Sequence, residues 1–259
     1  MQEKPYVIPS LEGKKLFFAS DFHLGAPDHE QSRERENRIV RWLDDIRHEA
    51  HTIFLLGDVF DFWFEYGTAI PKGFIRLQGK LASLTDSGIP VVMFTGNHDM
   101  WMFDYFTTEM NIPIYRDVLP VHAENKKLLI GHGDGLGPGD QTYKILKGIF
   151  RNKLCQWLFA RIHPNTGIAI ANYWSQKSRI SNSGKEDGRF DEDREFLVHY
   201  CKEMESKTHF DYYVFGHRHL PLDVEITPES RYFNLGEWVN YNTYGVFDGQ
   251  EFQLKTYMI

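Results

Sequence analysis

Hydrophobic residues in this chain collect into short dense runs, separated by longer stretches in which they recur every three or four positions. The runs are Leu16–Ala19, Ile53–Leu56, Val91–Phe94, Leu128–Ile130 and Tyr212–Phe215. Each is rich in β-branched, aromatic or aliphatic side chains and gives way to Gly, Ser or Thr, a pattern that predicts buried strands. Between the first two runs, Arg33–Glu49 places Ile39, Trp42, Leu43 and Ile46 on one face among charges. Between the next two, Phe74–Leu84 does the same with Phe74, Leu77, Leu81 and Leu84. Both patterns predict amphipathic helices. Strands alternating with such helices predict an α/β protein.

The C-terminal stretch has another character. Leu222–Thr227, Arg231–Leu235, Asn242–Phe247 and Phe252–Met258 read as short strands separated by turns, with Asp248-Gly249 as a hairpin signal. A mixed, layered α/β/β domain fits this order. No internal repeat and no low-complexity segment interrupts it.

Composition narrows the picture. The chain has 259 residues, 42% of them hydrophobic, enough to bury a core. We read it as a single domain over residues 1–259. A formal net charge of -7 argues against nucleic-acid binding through bulk electrostatics. The two cysteines, Cys155 and Cys201, form no CxxC pair, so thiolate zinc sites and a disulfide framework are not expected, and both read as reduced buried thiols. The N-terminal MQEKPYVIPSLEGKK lacks the apolar centre of a secretory signal, and no run reaches the ~18 apolar residues of a membrane span. A cytoplasmic address is expected.

One segment departs from the acidic balance. Residues 141–185 carry Lys144, Lys147, Arg151, Lys153, Arg161, Lys177, Arg179 and Lys185 and no acidic residue, with Trp157, Leu158, Phe159 and Trp174 interleaved. We expect a mainly helical insertion, about 141–190, lying over the site as a lid. The plainer alternative is a solvated helical face with its own small core.

Chemistry gathers at the ends of the five runs. The first delivers Asp21-Phe22-His23, the second Gly57-Asp58 with Asp61 nearby, and the third Gly96-Asn97-His98-Asp99. The fourth delivers Gly131-His132-Gly133-Asp134 and the fifth Gly216-His217-Arg218-His219. Ligand sites of open α/β sheets form beyond the carboxyl ends of strands. A lone His or Asp after a strand is usually a cap or a turn residue; the joint pattern of five ends bearing oxygen and nitrogen donors is what points to metal. Imidazole and carboxylate without thiolate suit Mn, Fe or Zn rather than Ca. One metal is expected on Asp21, His23 and His219, the other on Asn97, His132 and His217, with Asp58 as the bridge. Two divalent ions about 3.5–4 Å apart generate hydroxide and clamp a phosphoryl oxygen, so a phosphate ester or anhydride is the expected substrate. His98 is assigned to stabilising the transition state or protonating the leaving oxygen. Asp99 is expected to orient the His98 ring as a carboxylate–histidine pair.

In this order, D-x-H, G-D-x-x-D, G-N-H-D, H-G-D and G-H-x-H resemble the calcineurin-like metallophosphoesterase superfamily, over Asp21 to His219. The resemblance implies a β-sandwich flanked by helices (α/β/β/α) and two metals, commonly Mn²⁺. A closer resemblance is to the UDP-2,3-diacylglucosamine hydrolases of lipid A synthesis, whose G-D-x-F-D-x-W step is similar to Gly57–Trp63. That family inserts a helical lid after its H-G-D motif. It implies substrate contacts at Asn97, His98, Asp140, Ser178, Asn182, Lys185 and His217. The lid's cations would then meet a diphosphate and its apolar side chains two acyl chains. Peripheral contact with the cytoplasmic face of the inner membrane is a further expectation; no nucleic-acid or protein partner is expected. The best-known members carry Arg where this chain has His98, and His does not reproduce the bidentate phosphate clamp of Arg. The expected activity is hydrolysis of the diphosphate bond of UDP-2,3-diacylglucosamine. A general phosphodiesterase or nucleotide phosphatase with a soluble substrate is the alternative, and a binding protein on a dead phosphoesterase fold is the third reading.

Overall fold

The strand Ala50–Leu56 shows how the layers are built. Its alternate residues Ile53 and Leu55 join one hydrophobic cluster, and Phe54 and Leu56 join another. A strand apolar on both faces is buried on both faces, so a layer lies on each side of it. The computed structural model describes residues 4–138, 141–182, 190–192 and 195–258.

Among these residues the strands are β1 (Tyr6–Ile8), β2 (Lys15–Ala19), β3 (Ala50–Leu56), β4 (Val91–Phe94), β5 (Ile114–Tyr115), β6 (Leu119–Ala123), β7 (Lys126–Gly131), β8 (Tyr212–Phe215), β9 (Pro221–Thr227), β10 (Ser230–Leu235), β11 (Thr243–Phe247) and β12 (Phe252–Thr256). The helices are α1 (His29–Ile46), α2 (Ile75–Asp86), α3 (Tyr105–Met110), α4 (Gln141–Arg151), α5 (Lys153–Phe159), α6 (Pro164–Asn182) and α7 (Phe196–Glu205). The strands make two mixed six-stranded sheets, β1-β6-β7-β8-β10-β9 and β12-β11-β2-β3-β4-β5. The sheets pack face to face through Leu16, Phe18, Phe54 and Phe94 on one side and Val121, Ile130, Val214 and Phe233 on the other. Phe18 and Phe54 stack at 5.0 Å in the middle of this layer.

The outer faces are covered by helices. Ile39, Trp42, Leu43 and Ile46 of α1 and Leu77, Leu81 and Leu84 of α2 lie against the outer face of the β2-β3-β4 sheet. Leu197, Val198 and Cys201 of α7 cover Leu129, Tyr213, Phe215 and Tyr232 of the other sheet. The result is the expected α/β/β/α order. Cys201 is buried there; Cys155 on α5 is only half-buried, unlike the expected buried thiol.

Boundaries shift where polar chemistry overrides hydrophobic period. The first helix starts at His29 instead of Arg33, because Asp28 caps it by accepting the Gln31 N–H at 2.9 Å. It ends at Ile46, and a turn through Glu49 feeds β3. The N-cap position of α2 is Phe74, whose side chain supplies no cap bond. The buried Glu36 of α1 accepts the N–H groups of Arg76 and Leu77 at 2.9 and 3.1 Å in its place. Glu65 does the same for α3, taking the N–H groups of Phe103, Asp104 and Tyr105 at 2.7, 2.7 and 3.1 Å. No helix among the described residues is long and apolar enough to cross a membrane.

Candidate metal centre

The strands β2, β3 and β4 are parallel neighbours in one sheet, and β7 and β8 are parallel neighbours in the other. Their C-terminal loops are stitched together by backbone bonds. Asp21 N–H donates to Gly57 O at 3.0 Å, His23 N–H to Asp58 O at 2.9 Å and Gly216 N–H to His132 O at 2.9 Å. Gly57 is required by this crowding. At φ +89°, a Cβ there would come within 2.7 Å of the Gly96 nitrogen and 2.8 Å of His132 Nδ1.

The loop backbones turn the donors inward through left-handed conformations. Asp21, His23, Asp58, His217 and His219 have φ of 55°, 44°, 51°, 67° and 56°. Such conformations cost roughly 1–3 kcal/mol each outside glycine and cluster at functional sites. Arg35 of α1, itself buried, donates to the carbonyls of His23, at 2.9 Å, and Ala26 and so holds the first of these turns.

Two donor sets share Asp58. In the first, donor atoms of Asp21, His23, Asp58 and His219 all lie within 4.8 Å of one another. His219 Nε2 is 3.1 Å from Asp21 Oδ1 and 3.1 Å from His23 Nε2. In the second, Asn97 Oδ1 is 3.2 Å from His132 Nε2 and 2.9 Å from His217 Nδ1. Asp58 Oδ2 stands 3.4 Å from His132 Nε2 and 3.9 Å from His23 Nε2. The seven residues expected as metal ligands are therefore brought together, with Asp58 between the two groups.

The donor chemistry fits divalent cations. Asp21 Oδ1 and Asp58 Oδ2 are buried and face only the nitrogens of other donor histidines, without a well-formed hydrogen bond, a costly state for a carboxylate unless a cation meets it. Their other oxygens accept backbone N–H groups, His217 to Asp21 at 3.0 Å and His98 to Asp58 at 2.8 Å. Burial opposes ionisation of both, yet the surrounding histidines hold both carboxyls below the usual carboxylate range. Burial also works against charge on His132, but Asp58 and Asp21 raise it to about 10. His217 is pushed down to about 4, by burial first and by His132 next. His132 Nδ1 is tied to Leu56 O at 2.8 Å, leaving Nε2 for the centre.

The residues around the donors are placed differently from expectation. Asp99 does not orient the His98 ring. It is fully buried, and its carboxylate accepts the N–H groups of Gly96, Asp58 and Phe60 at 2.8, 3.3 and 3.2 Å, fixing two donor loops to each other. The His98 ring instead meets Asp61 and Ser175, the latter on α6. Burial lowers His98 to about 4, assisted by neighbouring histidines and opposed by Asp58. Asp61 Oδ1 is also 3.6 Å from His23 Nδ1, so it stands behind one donor histidine and beside His98. Asp134 is buried and takes Tyr143 OH at 2.5 Å and Lys147 Nζ at 2.6 Å, which fastens α4 to the β7 loop. Sequence reading left Arg35, Ser175, Tyr143 and Lys147 without individual roles; the basic count marked Lys147, and nothing local marked the rest. Asp140 and Lys185 lie outside the described residues, as do the side chains of Ser178 and Asn182.

A sandwich whose strand ends converge on Asp, His and Asn donors defines a phosphoesterase of the metal-binding kind, and comparison agrees. The calcineurin-like phosphoesterase family profile matches residues 14–221, and the chain belongs to that family. Among individual proteins, the chain is similar to "UDP-2,3-diacylglucosamine hydrolase" of Porphyromonas gingivalis, 37% identical over 254 residues, covering 93% of this chain and 97% of that protein. The protein of the same description from Histophilus somni (strain 129Pt) is 26% identical over 226 residues, covering 87% and 92%. Among solved structures, a dimetal phosphatase from Danio rerio aligns with a TM-score of 0.44 at 11% identity, over 94% of this chain and 95% of that one.

Proposed function

We propose that this chain hydrolyses the diphosphate bond of UDP-2,3-diacylglucosamine, releasing UMP and 2,3-diacylglucosamine 1-phosphate. The observation that carries the reading is the end-to-end likeness to a relative of that description, 97% of which is covered, beside the converging donors of the centre. Two divalent ions, which we take to be Mn²⁺, would sit on Asp21, His23, Asp58 and His219 and on Asp58, Asn97, His132 and His217. Bound there, they would supply hydroxide at neutral pH and neutralise phosphoryl oxygens.

The chain's own residues do the rest. Asp99 holds the Asp58 and Asn97 loops at fixed separation. Asp61 supports His23 from behind, as outer carboxylates do for metal-bound imidazoles. His98 stands beside the centre to meet the transferring phosphoryl group or its leaving oxygen. In this reading α4 to α6 form a lid. Ile145, Ile149, Leu154, Trp157, Leu158 and Trp174 are exposed there, between 48% and 67%, on helices that also carry Lys144 and Lys153. Such a surface suits two acyl chains and the anionic membrane from which they come. We take the enzyme to be cytoplasmic, with peripheral contact at the membrane through this surface.

The test is Mn²⁺-dependent release of UMP from the lipid nucleotide in detergent, run beside non-acylated UDP-glucosamine. Preference for the acylated substrate supports the reading. Equal turnover of the two, or turnover of simple phosphodiesters alone, would replace it with a general phosphodiesterase.

A further inference from the structure

Polar contacts of Ser175 join α6 to the crevice. Ser175 Oγ donates to Asp61 Oδ2 at 2.9 Å and lies 3.0 Å from His98 Nδ1. The same ring nitrogen is 3.2 Å from the Asp61 carbonyl oxygen. Close approach of α6 is built in: a Cβ on Gly167 would come within 2.7 Å of Tyr66 Oη and 3.2 Å of the Phe159 ring. That ring in turn packs against Phe62, Phe64 and Trp101 of the two loops flanking His98.

The hydrogen-bond logic fixes a tautomer. A hydroxyl has one proton and two lone pairs, and a carbonyl oxygen only accepts. With its proton given to Asp61, Ser175 can only accept from His98, as the Asp61 carbonyl must. Both partners therefore require the proton on Nδ1. Nε2 is left as the ring nitrogen that exchanges a proton or hydrogen bond with a substrate.

We propose that Ser175 is a positioning residue for His98, setting the ring's orientation and tautomer from α6, so that the histidine is correctly set only while that helix sits over the crevice. The chemistry then depends on the cover: a substrate that keeps α6 seated also keeps Nε2 ready, and displacement of α6 frees the ring to turn. This rests on the reading of His98 as the residue that meets the phosphoryl group, and the experiment separates the two.

The full-length Mn²⁺-loaded protein, S175A, S175T, H98A and H98A/S175A are compared by UMP release, with metal content and thermal unfolding measured for each. S175A is expected to lower kcat about tenfold with KM within about twofold, a loss of the kind general acid–base residues govern. S175T, which keeps the hydroxyl, should recover to within about threefold. On the H98A background S175A should cost nothing more, because residues that act through one another are not additive. An unchanged kcat in S175A, an equal loss on both backgrounds, or full activity in H98A would each overturn the proposal. If S175A does not fold, S175C serves in its place. If the wild type releases no UMP, the substrate reading fails, and the same set assayed on bis(p-nitrophenyl) phosphate still decides the role of Ser175.

Discussion

Asp99 and Asp58 are two buried carboxylates joined through one backbone. Asp99 Oδ1 accepts the Asp58 N–H at 3.3 Å while the Asp58 side chain faces the donor histidines. Burial and the nearby Asp58 charge raise the Asp99 carboxyl to about 7, against the pull of the Gly96 and Phe60 N–H groups. A carboxyl raised from its ordinary 3.8 stabilises the fold fully below about pH 4 and loses that contribution as pH climbs to about 7. His98 and His217, both held near 4, tilt stability the other way between pH 4 and 6.5. The Asp99 share is therefore read as a difference. In metal-free protein, urea unfolding of D99N minus wild type should change with pH between 4 and 7, by on the order of a few kcal/mol. A difference independent of pH would refute the shift.

Metal loading should expel a proton. His132 without a cation is charged up to about pH 10, held so by Asp58 and Asp21 against the cost of burial. Only the neutral imidazole ligates. Calorimetric titration of the metal-free protein at pH 7.5 in buffers of different ionisation enthalpy should report about one proton released through His132. Heats that do not vary with buffer would sink this expectation, and affinity should rise with pH across the same range.

Asp58 is the donor on which both groups depend. D58A should leave the protein with less than half of the wild-type metal content. Hydrolysis should fall by more than about a hundredfold, since loss of even an outer support costs about 10–100-fold. Normal content and activity in D58A would remove the bridging role.

Glu65 governs stability at a distance from the chemistry. Its carboxylate takes three N–H groups at the start of α3 and the Trp63 indole N–H at 3.1 Å. E65A strands the buried Trp63 indole N–H and the part-buried N–H groups of α3, a loss of roughly 2–3 kcal/mol. A fall of several degrees in Tm, with metal content unchanged, is the expected result; an unaltered Tm would show that water replaces the carboxylate.

What the sequence reveals follows from how many faces of an element are buried. Ile53–Leu56 is legible because both of its faces are apolar, and α1 because Ile39, Trp42, Leu43 and Ile46 recur with the helical period. By contrast β1 and β5 span only three and two residues, too short for a period to show. Leu119–Ala123 alternates correctly but carries Pro120 and His122 on its less buried face, which masks it. At the site, donors after strands stand out because polar residues there need a reason. Supporting residues do not. Arg35 lies in a run of charges in which nothing distinguishes the one that turns inward, and Ser175 looks like any serine on a helix. Asp99 was assigned to its sequence neighbour, whereas tertiary contact gives it the backbone of another loop.

The donors come from both halves of the sandwich: Asp21, His23, Asp58 and Asn97 follow strands of one sheet, and His132, His217 and His219 follow strands of the other. A loaded centre is thus a rivet through the seam, in addition to being a reagent. Chelation should loosen the edge where the two sheets meet, and amide exchange near β2 and β8 should quicken together although those strands share no hydrogen bonds. The cation would govern the mechanical integrity of the sandwich as well as its turnover.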